Sequence, residues 1–123
     1  MSIEILTADD SESVRKMVAF SLERGGFTVV EAEDGASALE KAREKRFQLV
    51  FTDLDMPRMN GIQLVRELRK LPAYAKTPVL LLTTESDAGM KNEAREAGAS
   101  GWITKPFHPD QLVAAVRKVL PEK

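Results

Sequence analysis

An α/β fold with a parallel sheet covered on both faces by helices is predicted by three observations. Short apolar runs recur along the 123 residues, with stretches of helical periodicity between them. The runs at 49–52 and 79–82 are apolar or β-branched throughout and lack polar alternation, as strands buried on both faces do. Breaker residues stand at the joints: Gly25-Gly26, Asp34-Gly35, Pro72, Pro78 and Gly98.

Taken in order, residues 3–8 form the first strand candidate, which ends on Asp9-Asp10. Residues 11–24 carry Val14, Met17, Val18 and Leu22 at helical spacing, with Asp10 or Ser11 placed to cap the helix and Gly25-Gly26 to stop it. Residues 27–32 read as the second strand and 36–45 as the second helix, with Ala38, Leu39 and Ala42 inward. The third strand, 49–52, ends on Asp53. A loop with Pro57 leads to a helix from Gly61 to about residue 71, whose Ile62, Leu64, Val65 and Leu68 cover the sheet; Pro72 ends it. Residues 79–82 form the fourth strand and run into Thr83-Thr84. The helix at 88–97 offers only Met90, Ala94 and Ala97 to a core, which predicts loose packing. The last strand, 100–104, precedes Lys105-Pro106-Phe107, and Pro109 opens a final helix carrying Leu112, Val113, Val116, Val119 and Leu120. Strand–helix alternation with right-handed crossovers leaves few topologies, of which the flavodoxin-like (βα)5 order 2-1-3-4-5 is expected.

Composition limits the chemistry. The length suggests a single domain over 1–123. A formal net charge of -1 gives no reason to expect nucleic acid or an anionic membrane as partner. Without cysteine there are no disulfides, thiolate metal sites or thiol nucleophiles, and a lone His108 argues against a histidine zinc site or a Ser-His-Asp triad. No 18-residue apolar run occurs, and residues 1–4 lack the features of a signal peptide, so a cytoplasmic protein is expected.

In a parallel sheet all strands deliver their carboxyl ends to one edge. That edge should gather Asp9 and Asp10 after strand one, Asp53 after strand three, Thr83 after strand four and Lys105 after strand five. Two carboxylates about 4 Å apart repel by roughly 4 kcal/mol at an effective dielectric near 20, so three require a cation. Oxygen ligands alone select a hard ion such as Mg2+. Beside it Asp53 can act as a carboxylate nucleophile and form an aspartyl-phosphate. Lys105 is placed to neutralise charge on the transferring group, and Thr83 to donate to a phosphoryl oxygen.

The set Asp9-Asp10, Asp53 followed by Met56-Pro57 and Gly61, Thr83, and Lys105-Pro106-Phe107 resembles the receiver domain of two-component response regulators over the whole chain. With the last helix ending near Lys123, a receiver domain with no output domain is expected, and residues 101–107 add to the likeness to stand-alone CheY-type chemotaxis regulators. The resemblance implies that Asp53 accepts phosphate from the phosphohistidine of a sensor histidine kinase, CheA-like in the chemotaxis case. It implies Mg2+ held by Asp10, Asp53 and the backbone carbonyl of Asp55, with Asp9 assisting through water. It further implies a cis Lys105-Pro106 bond, a switch pair of Thr83 and Trp102, and a partner-binding face made of helix four, strand five and helix five. A flagellar motor switch is the expected target and a monomer the expected state.

Some positions depart from the commonest family pattern. Trp102 is bulkier than the usual Tyr or Phe, and Thr84 should narrow access to Asp53. Asp55 and Glu85 flank the site with negative charge and are expected to modulate dephosphorylation. His108 is given no chemical role. A phosphate sink or a regulator of a pathway outside chemotaxis would share every one of these motifs. Asp53-Leu54-Asp55 also matches the Asp-x-Asp of haloacid-dehalogenase-like phosphatases, although there it usually follows the first strand. A flavodoxin-like FMN carrier is disfavoured, because Ala8-Asp9-Asp10 would repel a phosphate.

Overall fold

In the computed structural model, which describes residues 3–56, 58–84, 88–105 and 107–120, five parallel strands form one sheet in the order β2-β1-β3-β4-β5. The strands are β1 (Glu4–Ala8), β2 (Thr28–Ala32), β3 (Leu49–Asp53), β4 (Val79–Thr83) and β5 (Gly101–Thr104). They alternate with α1 (Glu12–Arg24), α2 (Gly35–Glu44), α3 (Gly61–Arg69), α4 (Ala88–Ala97) and α5 (Pro109–Val119), so the expected flavodoxin-like topology holds. Among the described residues no helix is long and apolar enough to cross a membrane.

The apolar strands feed two cores, because successive side chains point to opposite faces. Ile5, Leu49, Phe51, Leu80 and Leu82 pack with Val18 and Leu22 of α1 and with Leu112 and Val116 of α5. Leu6, Ala8, Val50, Val79 and Leu81 take the other face, under α2, α3 and α4. A fully buried aliphatic side chain of this size stabilises the fold by about 2 kcal/mol, which makes β1, β3 and β4 the best-anchored part of the sheet. The helices contribute unequally. α3 buries Ile62, Leu64, Val65 and Leu68, whereas the buried side chains described on α4 are Ala94 and Ala97, with Met90 half-buried. The light anchoring expected of this helix is therefore observed.

Helix starts are fixed by polar side chains. Ser11 caps α1, accepting the Val14 N–H at 3.4 Å, and Asp34 caps α2, accepting the Ser37 N–H at 2.7 Å. Asn60 and Gln63 form a reciprocal capping box at α3. His108, given no chemical role, has a structural one: its Nδ1 accepts the Asp110 N–H at 3.2 Å at the start of α5.

The structure differs from the sequence reading after α3. The helix stops at Arg69, two residues short of the expected end, and Pro72–Tyr74 forms a separate 3-10 turn. Proline explains the break, since it disfavours helical backbone at the preceding residue, and Leu71 is extended with φ -88° and ψ 122°. This turn delivers Tyr74 into the core. The Tyr74 hydroxyl accepts the Phe47 N–H at 3.1 Å and lies 2.9 Å from the Ala42 carbonyl and 2.7 Å from the Lys45 carbonyl. It thereby satisfies backbone groups at the end of α2 and on the way to β3. Tyr74→Phe removes the hydroxyl and leaves those groups unpaired in a buried site. The expected loss is about 2 kcal/mol of unfolding free energy, read as a lower urea midpoint with unchanged slope.

Candidate functional site

The carboxyl ends of the strands meet as the topology requires. Asp9 follows β1, Asp53 closes β3, Thr83 closes β4, and Lys105 follows β5. Asp9, Asp10 and Asp53 each offer a carboxylate oxygen, and the three oxygens lie within 4.8 Å of one another. Asp9 and Asp53 are buried, at 1% and 4% exposure, while Asp10 is exposed. Lys105 Nζ donates to Asp53 Oδ1 at 3.0 Å and stands 3.6 Å from Asp9 Oδ2.

Burial sets the electrostatics. It raises the pKa of Asp9, against a hydrogen bond from the Ser11 backbone and the charge of Lys105. It also raises the pKa of Asp53, which the Lys105 hydrogen bond and a backbone hydrogen bond from Asp55 only partly offset and the charge of Asp9 reinforces. Burial works against the Lys105 charge as well, but the hydrogen bond to Asp53 and the charges of Asp9 and Asp53 outweigh it, so its pKa goes up. A raised carboxyl pKa means that the ionised acid is worse solvated in the fold than in the unfolded chain. The cluster therefore stores unfavourable free energy that a cation can relieve.

The residues fit Mg2+ on a second ground. Asp9 Oδ2 is buried and accepts no hydrogen bond among the described residues, although it faces the cluster. A buried oxygen that accepts no hydrogen bond, with Lys105 Nζ at 3.6 Å, lies beside two further carboxylates; with no nitrogen or sulfur donor in the group, this is a donor set for a hard cation.

The loop after β3 holds the phosphate-accepting candidate in place. Leu54 N–H donates to the Leu82 carbonyl and Gly61 N–H to the Leu54 carbonyl, both at 2.9 Å. A Cβ at Gly61 would lie 2.6 Å from the Asp53 carbonyl oxygen and 2.8 Å from Leu81 Cδ2, so this position requires glycine if α3 is to start against the end of β3. Arg58, in the same loop, has a positive φ of 69°.

The other candidate residues are placed as follows. Thr83 is fully buried, and its carbonyl accepts the Lys105 N–H at 2.7 Å. Trp102 is half-buried on β5, paired in register with Leu81, two residues before Thr83 on β4. The two therefore share a sheet face without being direct neighbours. Lys91 Nζ of α4 stands 5.9 Å from the Trp102 ring centroid. Phe107 packs, half-buried, on the α1/α5 core. Asp55 and Thr84 are exposed at the rim. Pro57, Glu85 and the Lys105-Pro106 peptide bond lie outside the described residues.

One residue at this edge was not singled out by the sequence reading. Arg15 Nη1 donates to the Asp9 carbonyl at 2.8 Å. Its only sequence signal is an arginine five positions after the acidic pair, inside an amphipathic helix.

Comparison with known proteins agrees with this architecture. The family model of the response regulator receiver domain matches residues 5–117. The transcriptional regulatory protein SrrA of Staphylococcus aureus is 37% identical over 120 residues, 98% of this chain and 48% of SrrA, so the chain spans about half the length of the curated relatives it matches. The structure of chemotaxis protein CheY4 from Vibrio cholerae, crystallised at low pH, matches with a TM-score of 0.95 and 40% identity, covering 98% of this chain and 100% of CheY4. The receiver domain of the sensor histidine kinase PA1611 of Pseudomonas aeruginosa, with magnesium coordinated in its active-site cleft, shares the fold at a TM-score of 0.90 and 23% identity, covering 99% of this chain and 100% of that domain. With a family match that runs from the second residue of β1 into the last turn of α5, the chain belongs to the response regulator receiver domain family.

Proposed function

We propose that this protein is a phosphorylation switch in which Asp53 accepts a phosphoryl group from the phosphohistidine of a sensor histidine kinase. The observation that carries this reading is the meeting of Lys105 Nζ with Asp53 Oδ1 at 3.0 Å beside the Asp9–Asp10 carboxylates. In the transfer a carboxylate oxygen of Asp53 forms a bond to phosphorus as the phosphorus–nitrogen bond of the donor breaks. Lys105 stays beside the acceptor and balances the charge that moves onto it. Asp10, Asp53 and the Asp55 carbonyl would hold Mg2+ directly, and Asp9 through water. Bound there, the ion supplies neutralisation of the transferring group. Thr83 donates its hydroxyl to a phosphoryl oxygen once the group is attached, and Trp102 responds on the same sheet face.

The face made of α4, β5 and α5 is then the surface that changes for a downstream protein. The light anchoring of α4 supports this, because a helix with few buried groups costs little to shift. The end-to-end match to CheY4 supports a role in chemotaxis, with a CheA-like kinase and the flagellar motor switch as partners, in the cytoplasm. A second reading, control of transcription or another pathway, is favoured by the likeness to SrrA.

Incubation with acetyl phosphate and MgCl2 is expected to add about 80 Da, one phosphoryl group, to the intact mass. The gain disappears in Asp53→Asn and in EDTA. Trp102 is the only tryptophan, so its emission should change together with the mass. An adduct that survives Asp53→Asn would sink the assignment of the acceptor, and sustained hydrolysis of an added phosphate ester would revive a phosphatase. In cells, Asp53→Asn is expected to abolish directed swimming; intact swimming with altered transcript levels would favour the second reading.

The buried acids give a further prediction. In EDTA, Asp9→Asn should unfold at a higher urea concentration than the native protein, by about 1 kcal/mol, because an amide avoids the cost of ionising in a desolvated site. Saturating Mg2+ should erase that advantage. A native protein equally stable with and without Mg2+ would contradict metal binding here.

A further inference from the structure

Asp9 is tied down at three of its polar groups. Its N–H donates to the Ala32 carbonyl at 3.1 Å, its Oδ1 accepts the Ser11 N–H at 2.9 Å, and its carbonyl accepts Arg15 Nη1 at 2.8 Å. Oδ2 is left for the cluster. The Arg15 side chain is only 14% exposed, and its Nε donates to Glu31 Oε1 at 3.2 Å. Glu31 precedes Ala32 on β2, the strand beside β1, and its own carbonyl accepts Lys41 Nζ of α2 at 2.6 Å. Arg15 is thus a strut with one end on β2 and the other on the last peptide before Asp10.

A peptide unit is planar, so the hydrogen bond that orients the Asp9 carbonyl also orients the nitrogen of Asp10. We propose that Arg15 is a positioning residue for the divalent cation. By holding the Asp9–Asp10 peptide against Glu31, it aims Asp9 Oδ2 and the Asp10 carboxylate at the same point. The side chain touches neither the ion nor the phosphoryl group. Arginine is required because its fork reaches a carbonyl with one nitrogen and a carboxylate with another, in fixed directions; a lysine ammonium offers no such fork. Groups behind metal ligands commonly change metal affinity by 10- to 100-fold when removed.

This inference rests on the Mg2+ reading above, and the test separates the two. MgCl2 is titrated calorimetrically into the native protein, Arg15→Met, Arg15→Lys and Glu31→Gln, with urea unfolding in EDTA for each. Arg15→Met is expected to weaken Mg2+ binding about tenfold, Arg15→Lys to recover part of the loss, and Glu31→Gln to weaken binding about threefold. A merely structural role predicts unchanged affinity in every variant that is fully folded at the assay temperature. Binding within twofold of native in Arg15→Met and Glu31→Gln overturns the proposal; if Arg15→Met does not fold, Glu31→Gln decides alone. Failure of the native protein itself to bind Mg2+ overturns the metal reading, and this inference with it.

Discussion

The hydrogen bond from Lys105 Nζ to Asp53 Oδ1 joins side chains 52 positions apart in sequence. It exists because β3 and β5 flank β4 in a parallel sheet and all three strands end on one edge. The rest of the site depends on the same constraint. Asp9 and Asp10 arrive there on β1, and three ionised carboxylates with one ammonium leave a net charge of -2 (−3 + 1), which is the charge a divalent cation balances. Carboxylates this close repel one another, least where water screens the exposed Asp10. Lys105 relieves part of this, while burial, the larger cause, keeps the pKa values of Asp9 and Asp53 raised. The fold holds this arrangement because the hydrophobic strands behind it are strongly anchored, with Leu6, Leu49, Val50, Phe51 and Leu81 fully buried.

Much of this was legible in the sequence, for a physical reason. Strands buried on both faces are written as continuous apolar runs, so β3 and β4 announce themselves, and the polar residue that ends each run marks the carboxyl edge. Parallel pairing then brings Asp9, Asp53, Thr83 and Lys105 together without further information. Arg15, Arg69 and Tyr74 were not legible. Each acts by hydrogen bonding a backbone carbonyl elsewhere in the chain, and such a bond imposes no periodicity on the sequence. Arg69 is the clearest case: it donates to the carbonyls of Tyr74, Thr77 and Gly98, joining α3, the 3-10 turn, the approach to β4 and the end of α4. The stop of α3 at Arg69 was missed because Leu71 continues the apolar pattern while Pro72 forces it out of helical geometry.

The two sides of the site are held by different means. On the β1 side, Asp9 is fixed by Ala32, Ser11 and Arg15, and Arg15 in turn by Glu31. This arrangement suits residues that must present oxygens to an ion in a constant geometry, since a hard cation is selected by the number and placement of its ligands. On the β4–β5 side, Thr83 and Trp102 share a face covered by α4, whose buried described side chains are Ala94 and Ala97, with Met90 half-buried. The Arg69 bonds to the Gly98 carbonyl tie α4 to α3 at its C-terminal end. The molecule therefore combines a side where hydrogen bonds fix the acidic residues with a helix, α4, that makes few large apolar contacts. The first follows from where the chain places Ser11, Arg15 and Glu31, and the second from the alanines at positions 94 and 97.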